Sequence, residues 1–185
     1  IGSTSPTIAQ TTGLASGSVF PVGTTTNTFT ATDPSGNIST CSFDVVVTDT
    51  ENPNVITQPV TVQLDASGNT TVTATQVNNN STDNCAIATM TVVPNTFTCA
   101  NFGPNTVTLT VTDIYGNFAS QTAIVTVADT VLPIVVTQPL TIQLNAAGQA
   151  TITPAQINNG SSDNCGIASI AVAPNTFNCT NVGSN

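Results

Sequence analysis

The chain has 185 residues, nine of them acidic and none Lys, Arg or His, for a formal charge of −9. Globular chains are about a quarter charged with both signs present, so about 20 cationic side chains are missing. Their absence excludes a cationic grip on nucleic acid or on an anionic membrane surface, and it removes His, Lys and Arg from any catalytic scheme. Abundant Val, Ile and Thr with 39% hydrophobic content mark folded, β-rich material. Apolar residues fall in short alternating runs, so no direct membrane insertion is expected. The sequence opens on Ile1 with no Met and no signal-like stretch, as expected of a piece of a longer secreted polypeptide.

Along the chain, the first turn signal is Asp33-Pro-Ser-Gly-Asn37, followed by a linker carrying Asp49, Thr50 and Glu51. Next, Val60–Leu64 and Thr70–Thr75 read as a hairpin joined through the turn at Asp65–Asn69. Val107, Leu109 and Val111 alternate with Thr106, Thr108, Thr110 and Thr112, a period of two that predicts a half-buried strand. After the turn at Tyr115-Gly116-Asn117, Ala123, Val125 and Val127 predict its hairpin partner. No window of adequate length has helical periodicity.

A shift of 80 residues lays the sequence onto itself. Residues 51–105 match residues 131–185 at 30 of 55 positions, and the same shift pairs Asp33 with Asp113 and Asp49 with Asp129. The chain therefore reads as a tandem array. Residues 1–50 are the back part of one module, 51–130 a complete one, and 131–185 the front part of a third. Many short strands with Gly, Asn and Pro turns in about 80 residues predict an all-β fold of tandem immunoglobulin-like β-sandwich modules in an extended array. A β-solenoid would repeat at a far shorter period.

Cys85 and Cys99 recur as Cys165 and Cys179, one pair per module. A small sandwich outside the cytoplasm is commonly stapled, and closing a loop of about 15 residues is worth about 3 kcal/mol. The expectation is a disulfide inside each module, Cys85–Cys99 and Cys165–Cys179. Zinc is the rival, but two thiols per module without His do not complete a four-ligand site. Cys41 stands opposite Gln121 in the repeat, and its partner is expected upstream of Ile1.

The acids recur as well: in the hairpin turns (Asp33 with Asn37, Asp113 with Asn117), at module ends (Asp49, Glu51, Asp129) and in the Asp-Asn-Cys step (Asp83, Asp163). In an extended array the chain enters a module at one end and leaves at the other. The turn before the last strand must then lie where the chain enters. Asp113 and Asn117 are thus expected to meet Asp49 and Glu51, an oxygen-only set suited to structural Ca²⁺. The competing reading is ordinary turn chemistry, with Asp and Asn bonding their own backbone. With both cysteines assigned to the exit side, Asp83 is expected nearer Asp129 than Asp113.

Residues 17–26 (Gly-Ser-Val-Phe-Pro-Val-Gly-Thr-Thr-Thr), 31–37 (Ala-Thr-Asp-Pro-Ser-Gly-Asn) and 41–47 (Cys-Ser-Phe-Asp-Val-Val-Val) resemble the hyalin repeat (HYR) domain, an immunoglobulin-like adhesion module. Residues 51–185, through Ser161-Ser-Asp-Asn-Cys-Gly-Ile167, Phe177-Asn-Cys179 and Asn105–Asp113, resemble the repeats of giant surface adhesins of gliding Bacteroidetes. The pattern departs at Gln121, where many relatives carry Cys. The resemblance implies export by the type IX route and a place in a long extracellular filament. Asp129-Thr130-Val131 resembles that phylum's O-glycan acceptor, with Thr130 as the modified residue.

Against an enzyme stand the placement of the acids at repeated module ends rather than in one cleft, and the absence of a His base for any Cys nucleophile. The expected role is a non-catalytic stalk for adhesion or gliding, calcium-rigidified and disulfide-stapled. Its partners would be neighbouring modules and an unknown surface or polysaccharide ligand. The alternative is a carbohydrate- or protein-binding module, for which exposed aromatics are scarce: one Tyr, Tyr115, and no Trp.

Overall fold

The computed structural model describes residues 5–183. Its first sheet is made of β1 (Thr7–Thr12), β2 (Gly23–Thr32) and β3 (Ile38–Val47), all antiparallel in that order. The β2–β3 ladder is continuous from Gly23 opposite Val47 to Thr32 opposite Ile38, and Asp33–Asn37 closes it. Inside, Asn27 is 1% exposed and accepts from the Leu14 amide at 3.0 Å and Gln10 Nε2 at 3.1 Å.

The second unit carries the core. It runs β4 (Val60–Gln63), β5 (Asn69–Thr71), α1 (Ala74–Val77), β6 (Ile87–Val93), β7 (Thr96–Thr98), a 3-10 turn at Cys99–Asn101, β8 (Gly103–Asp113) and β9 (Phe118–Ala128). Four strands form one sheet in the order β4-β9-β8-β6, and β5 pairs with β7 in another. β4 runs parallel to β9, with Val60 opposite Val125, while the other pairs are antiparallel. Between the sheets lie Val62, Leu64, Val72, Val77, Val92, Phe97, Val107, Leu109, Val111, Ala123, Val125 and Val127. In β8 the alternation of apolar and Thr residues becomes burial directly: Val107, Leu109 and Val111 are sealed, whereas Thr106 and Thr108 face solvent. These features are those of β-sandwich modules.

Two expectations need correction. Val60–Leu64 and the strand after it are not a laddered hairpin, because β4 joins β9 and β5 joins β7. The Asp65–Asn69 turn, tied by Asp65 N to Asn69 O and Gly68 N to Asp65 O at 2.9 Å each, crosses from one sheet to the other. The second strand also stops at Thr71, and a single helical turn follows. Thr73 caps it, with Gln76 Oε1 accepting from the Thr73 amide at 2.8 Å. This capping box lets a four-residue turn form without helical periodicity, and Val77 on it is sealed in the core.

The third unit repeats the front of the second with β10 (Gln149–Thr151), α2 (Pro154–Ile157) and β11 (Thr176–Asn178), followed by a 3-10 turn at Cys179–Asn181. Its Leu140, Ile142, Leu144, Ile152, Ile157 and Phe177 line an open groove. Their counterparts in the second unit are covered by β8 and β9. Among the described residues no helix is long and apolar enough to cross a membrane.

Candidate metal centre

Three carboxylates from three separate segments converge where the first and second units meet. Asp49 comes from the linker after β3, Asp83 from the loop before β6, and Asp113 from the end of β8; one oxygen of each lies within 4.8 Å of the others. The sheet register brings the last two together. β6 starts opposite the end of β8, with Ile87 paired to Asp113 and the Ile114 amide donating to Ala86 O at 3.1 Å. Asp83 therefore lies at the upstream end beside Asp113, not downstream near Asp129, and the expectation of the sequence is overturned.

Each acid is fixed by its own backbone neighbours. Asp113 Oδ1 accepts from the Tyr115 and Asn117 amides at 2.8 Å each, and Oδ2 accepts from Asn117 Nδ2 at 2.7 Å. Asp83 Oδ2 accepts from the Cys85 and Ala86 amides at 2.8 and 3.1 Å. Asp49 Oδ1 accepts from the Glu51 amide at 3.2 Å and Asn84 Nδ2 at 3.1 Å. What remains is Asp49 Oδ2 and Asp83 Oδ1, both buried and without a hydrogen-bond partner. Buried carboxylate oxygens demand compensation, and no cationic side chain exists in the sequence to give it.

The electrostatics of the site favour ionised acids. The Asn84 side-chain amide, the nearby Cys85 thiol and the Glu51 amide together hold the Asp49 carboxyl below the ordinary carboxylate range. Burial pushes Asp113 up, but the Asn117 side chain and the turn amides outweigh it and hold that carboxyl low. The Cys85 thiol is pushed up to about 11, first by the neighbouring Asp49 carboxylate, then by burial and the charges of Asp83 and Asp113. Oxygens that all lie within 4.8 Å of one another are close enough to approach one shared ion, and an all-oxygen set is the kind Ca²⁺ takes. These residues fit a hard divalent cation.

The other predicted residues are placed as follows. Asn117 Nδ2 donates to Asp113 and, at 3.3 Å, to Asp49 O, so this amide orients the acids as a donor instead of ligating. The Glu51 side chain is exposed and is not among the clustered acids. Asp33 and Asn37 make the same turn as Asp113 and Asn117, with Asn37 Nδ2 donating to Asp33 Oδ2 at 2.8 Å. The Thr130 hydroxyl is exposed and donates to Gln63 at 3.3 Å.

At the second junction the arrangement recurs in part. Asp129 Oδ1 accepts from Asn164 Nδ2 at 3.2 Å, as Asp49 does from Asn84, and Asp163 Oδ2 is again a buried orphan. Among the described residues no third acid joins this pair.

The cysteines depart from expectation. Cys99 is bonded to Cys165 of the following unit, with Cα atoms 5.3 Å apart, and Cys85, Cys179 and Cys41 are free. Cys85–Cys99 cannot form, because the seven-residue β6 alone carries the chain about 20 Å downstream between them. A disulfide needs Cα atoms within about 7 Å. Cys165–Cys179 does not form either, because Cys165 is taken by Cys99 and Cys179 is left free. The sequence signal for this arrangement is the step Asn84-Cys85 that recurs as Asn164-Cys165: the asparagine binds the preceding linker acid in both copies.

Residues 3–47 match the HYR domain. The chain is 37% identical over 142 residues to hyalin of the sea urchin Strongylocentrotus purpuratus, an alignment covering 68% of this chain and 12% of hyalin. The chain thus carries an HYR domain at residues 3–47 and is distantly similar to hyalin beyond it.

Proposed function

We propose that this chain is a non-catalytic segment of an extracellular adhesive stalk, divided into units at 1–50, 51–130 and 131–185, whose first junction is held by a divalent cation of the calcium class. The observation that carries the reading is the convergence of Asp49, Asp83 and Asp113 with two orphaned, buried carboxylate oxygens in a chain without one cationic side chain. Bound there, the ion would tie the linker to two loops of the second unit and fix the angle between units. The likeness to hyalin and the junction disulfide support an extracellular setting. The resemblance of residues 51–185 to gliding adhesin repeats adds export by the type IX route, a filament role and O-glycosylation at Thr130 to the proposal. Melting curves of the full chain in 10 mM calcium and in excess chelator test it. A site in the sensitivity range of extracellular modules, about 10⁻⁴–10⁻³ M, raises the melting temperature by about 5–20 °C. Superimposable curves refute the cation reading.

A further inference from the structure

The Cys99–Cys165 bond sits in a docking arrangement with two halves. One half belongs to the downstream end of the second unit: the Asp65–Asn69 turn and Cys99, which opens a 3-10 turn capped by Thr98. The other is the Asp163-Asn164-Cys165 loop of the third unit. Asn164 Nδ2 donates to Asp65 O at 3.0 Å, and Cys99 Sγ lies 3.5 Å from Asn164 O and 3.7 Å from Gly68 O. Gly68 is required here. At φ +74° an added Cβ would sit 2.6 Å from Cys99 Sγ and 3.0 Å from Asn164 O.

The receiving half is built a second time, and its cysteine is free. In the third unit Asn145 replaces Asp65, and its side chain accepts from the Ala147 and Gln149 amides at 2.9 and 3.0 Å, as Asp65 does from Ser67 and Asn69. Gly148 repeats φ +74°, and its added Cβ would sit 2.8 Å from Cys179 Sγ. Cys179 opens the equivalent 3-10 turn, 3.9 Å from Gly148 O, and is exposed. In the first unit, by contrast, Val19 stands eighty positions before Cys99, so Cys85 has no receiving cysteine and is free.

We propose that Cys179 and the Asn145–Gln149 turn form a docking site for the Asp-Asn-Cys loop of a further module of this repeat, sealed by a disulfide. The repeat cysteines are then paired across every junction that has both halves, and never inside a module. This inference concerns the downstream face alone and does not depend on cation binding at Asp49, which the melting experiment tests separately.

The test uses the full chain and a synthetic peptide of the sequence of residues 161–167, its cysteine carried as a mixed disulfide with glutathione. The Cys179 thiolate attacks the peptide sulfur; the new sulfur–sulfur bond forms as the bond to glutathione breaks. Glutathione leaves as a thiolate and takes a proton from water, with no net oxidation. Peptide adducts at Cys41, Cys85 and Cys179 are quantified by mass spectrometry and normalised to each thiol's reaction with plain glutathione disulfide. The expected result is at least a fivefold preference for Cys179, lost when the peptide's Asn is replaced by Ala or its order is scrambled. Equal normalised labelling of the three thiols, or the same Cys179 labelling by the scrambled peptide, overturns the proposal.

Discussion

Reduction of the Cys99–Cys165 bond should cost the chain a large part of its stability, and the size follows from the separation it spans. The bond closes 66 residues of sequence, enclosing β8, β9 and the second linker. In the loop-entropy relation a closure of that length removes about 4 kcal/mol of unfolded-state freedom at 25 °C. With a urea m-value of about 1–2 kcal/mol/M for a unit this small, the unfolding midpoint should fall by about 2–4 M on reduction. The connectivity can be read in the same sample. The chain has no Lys or Arg, so trypsin cannot be used. Cleavage before Asp places Cys85 and Cys99 together in fragment 83–112, and Cys165 and Cys179 together in the fragment beginning at 163. A bond across the junction holds these two fragments together until reductant is added. Fragments that separate without reductant, or a midpoint insensitive to it, would refute the assignment.

Further expectations follow from single contacts. Leu109→Ala removes a side chain sealed at the centre of the core and should destabilise the second unit by about 2–5 kcal/mol, read by chemical denaturation. Gly68→Ala places a methyl group against Cys99 Sγ and the Asn164 carbonyl, and should block the junction disulfide. Thiol titration of the denatured protein should then rise from three free cysteines to five. Asp33 is held below its ordinary value near 3.8, chiefly by the Asn37 side chain. Its contribution is therefore full above that value and is lost as pH falls through the lowered one. Asp33→Ala should destabilise the first unit at pH 7, and the difference from the parent chain should vanish in strong acid.

How far these features were legible differs by element. The Thr–Val alternation of residues 106–112 specified β8 and its buried face because a period of two needs only a two-sided sheet. The turn acids were equally legible, since Asp113 and Asn117 act through backbone amides two and four residues away. Asp83 and the disulfides were misplaced for one shared reason. Cys85 and Cys99 are 14 residues apart, and that spacing suits a closed loop as well as a strand that crosses the module. Only the pairing of Ile87 with Asp113 decides which, and strand pairing is a long-range property that local pattern does not encode. The turn at Ala74–Val77 was missed by looking for periodicity. Its signal is Thr73 with Gln76, repeated as Thr153 with Gln156.

Calcium titration by isothermal calorimetry on the full chain and on Asp83→Asn tests the junction most directly. The substitution keeps an oxygen to accept the Cys85 and Ala86 amides while removing the charge, so the loop survives and the cation site does not. The parent chain should show one saturable site with a dissociation constant of about 10⁻⁴–10⁻³ M, and the folded variant should have lost it. No saturable binding by the parent chain up to 10 mM calcium, or identical isotherms for the two proteins, would contradict it.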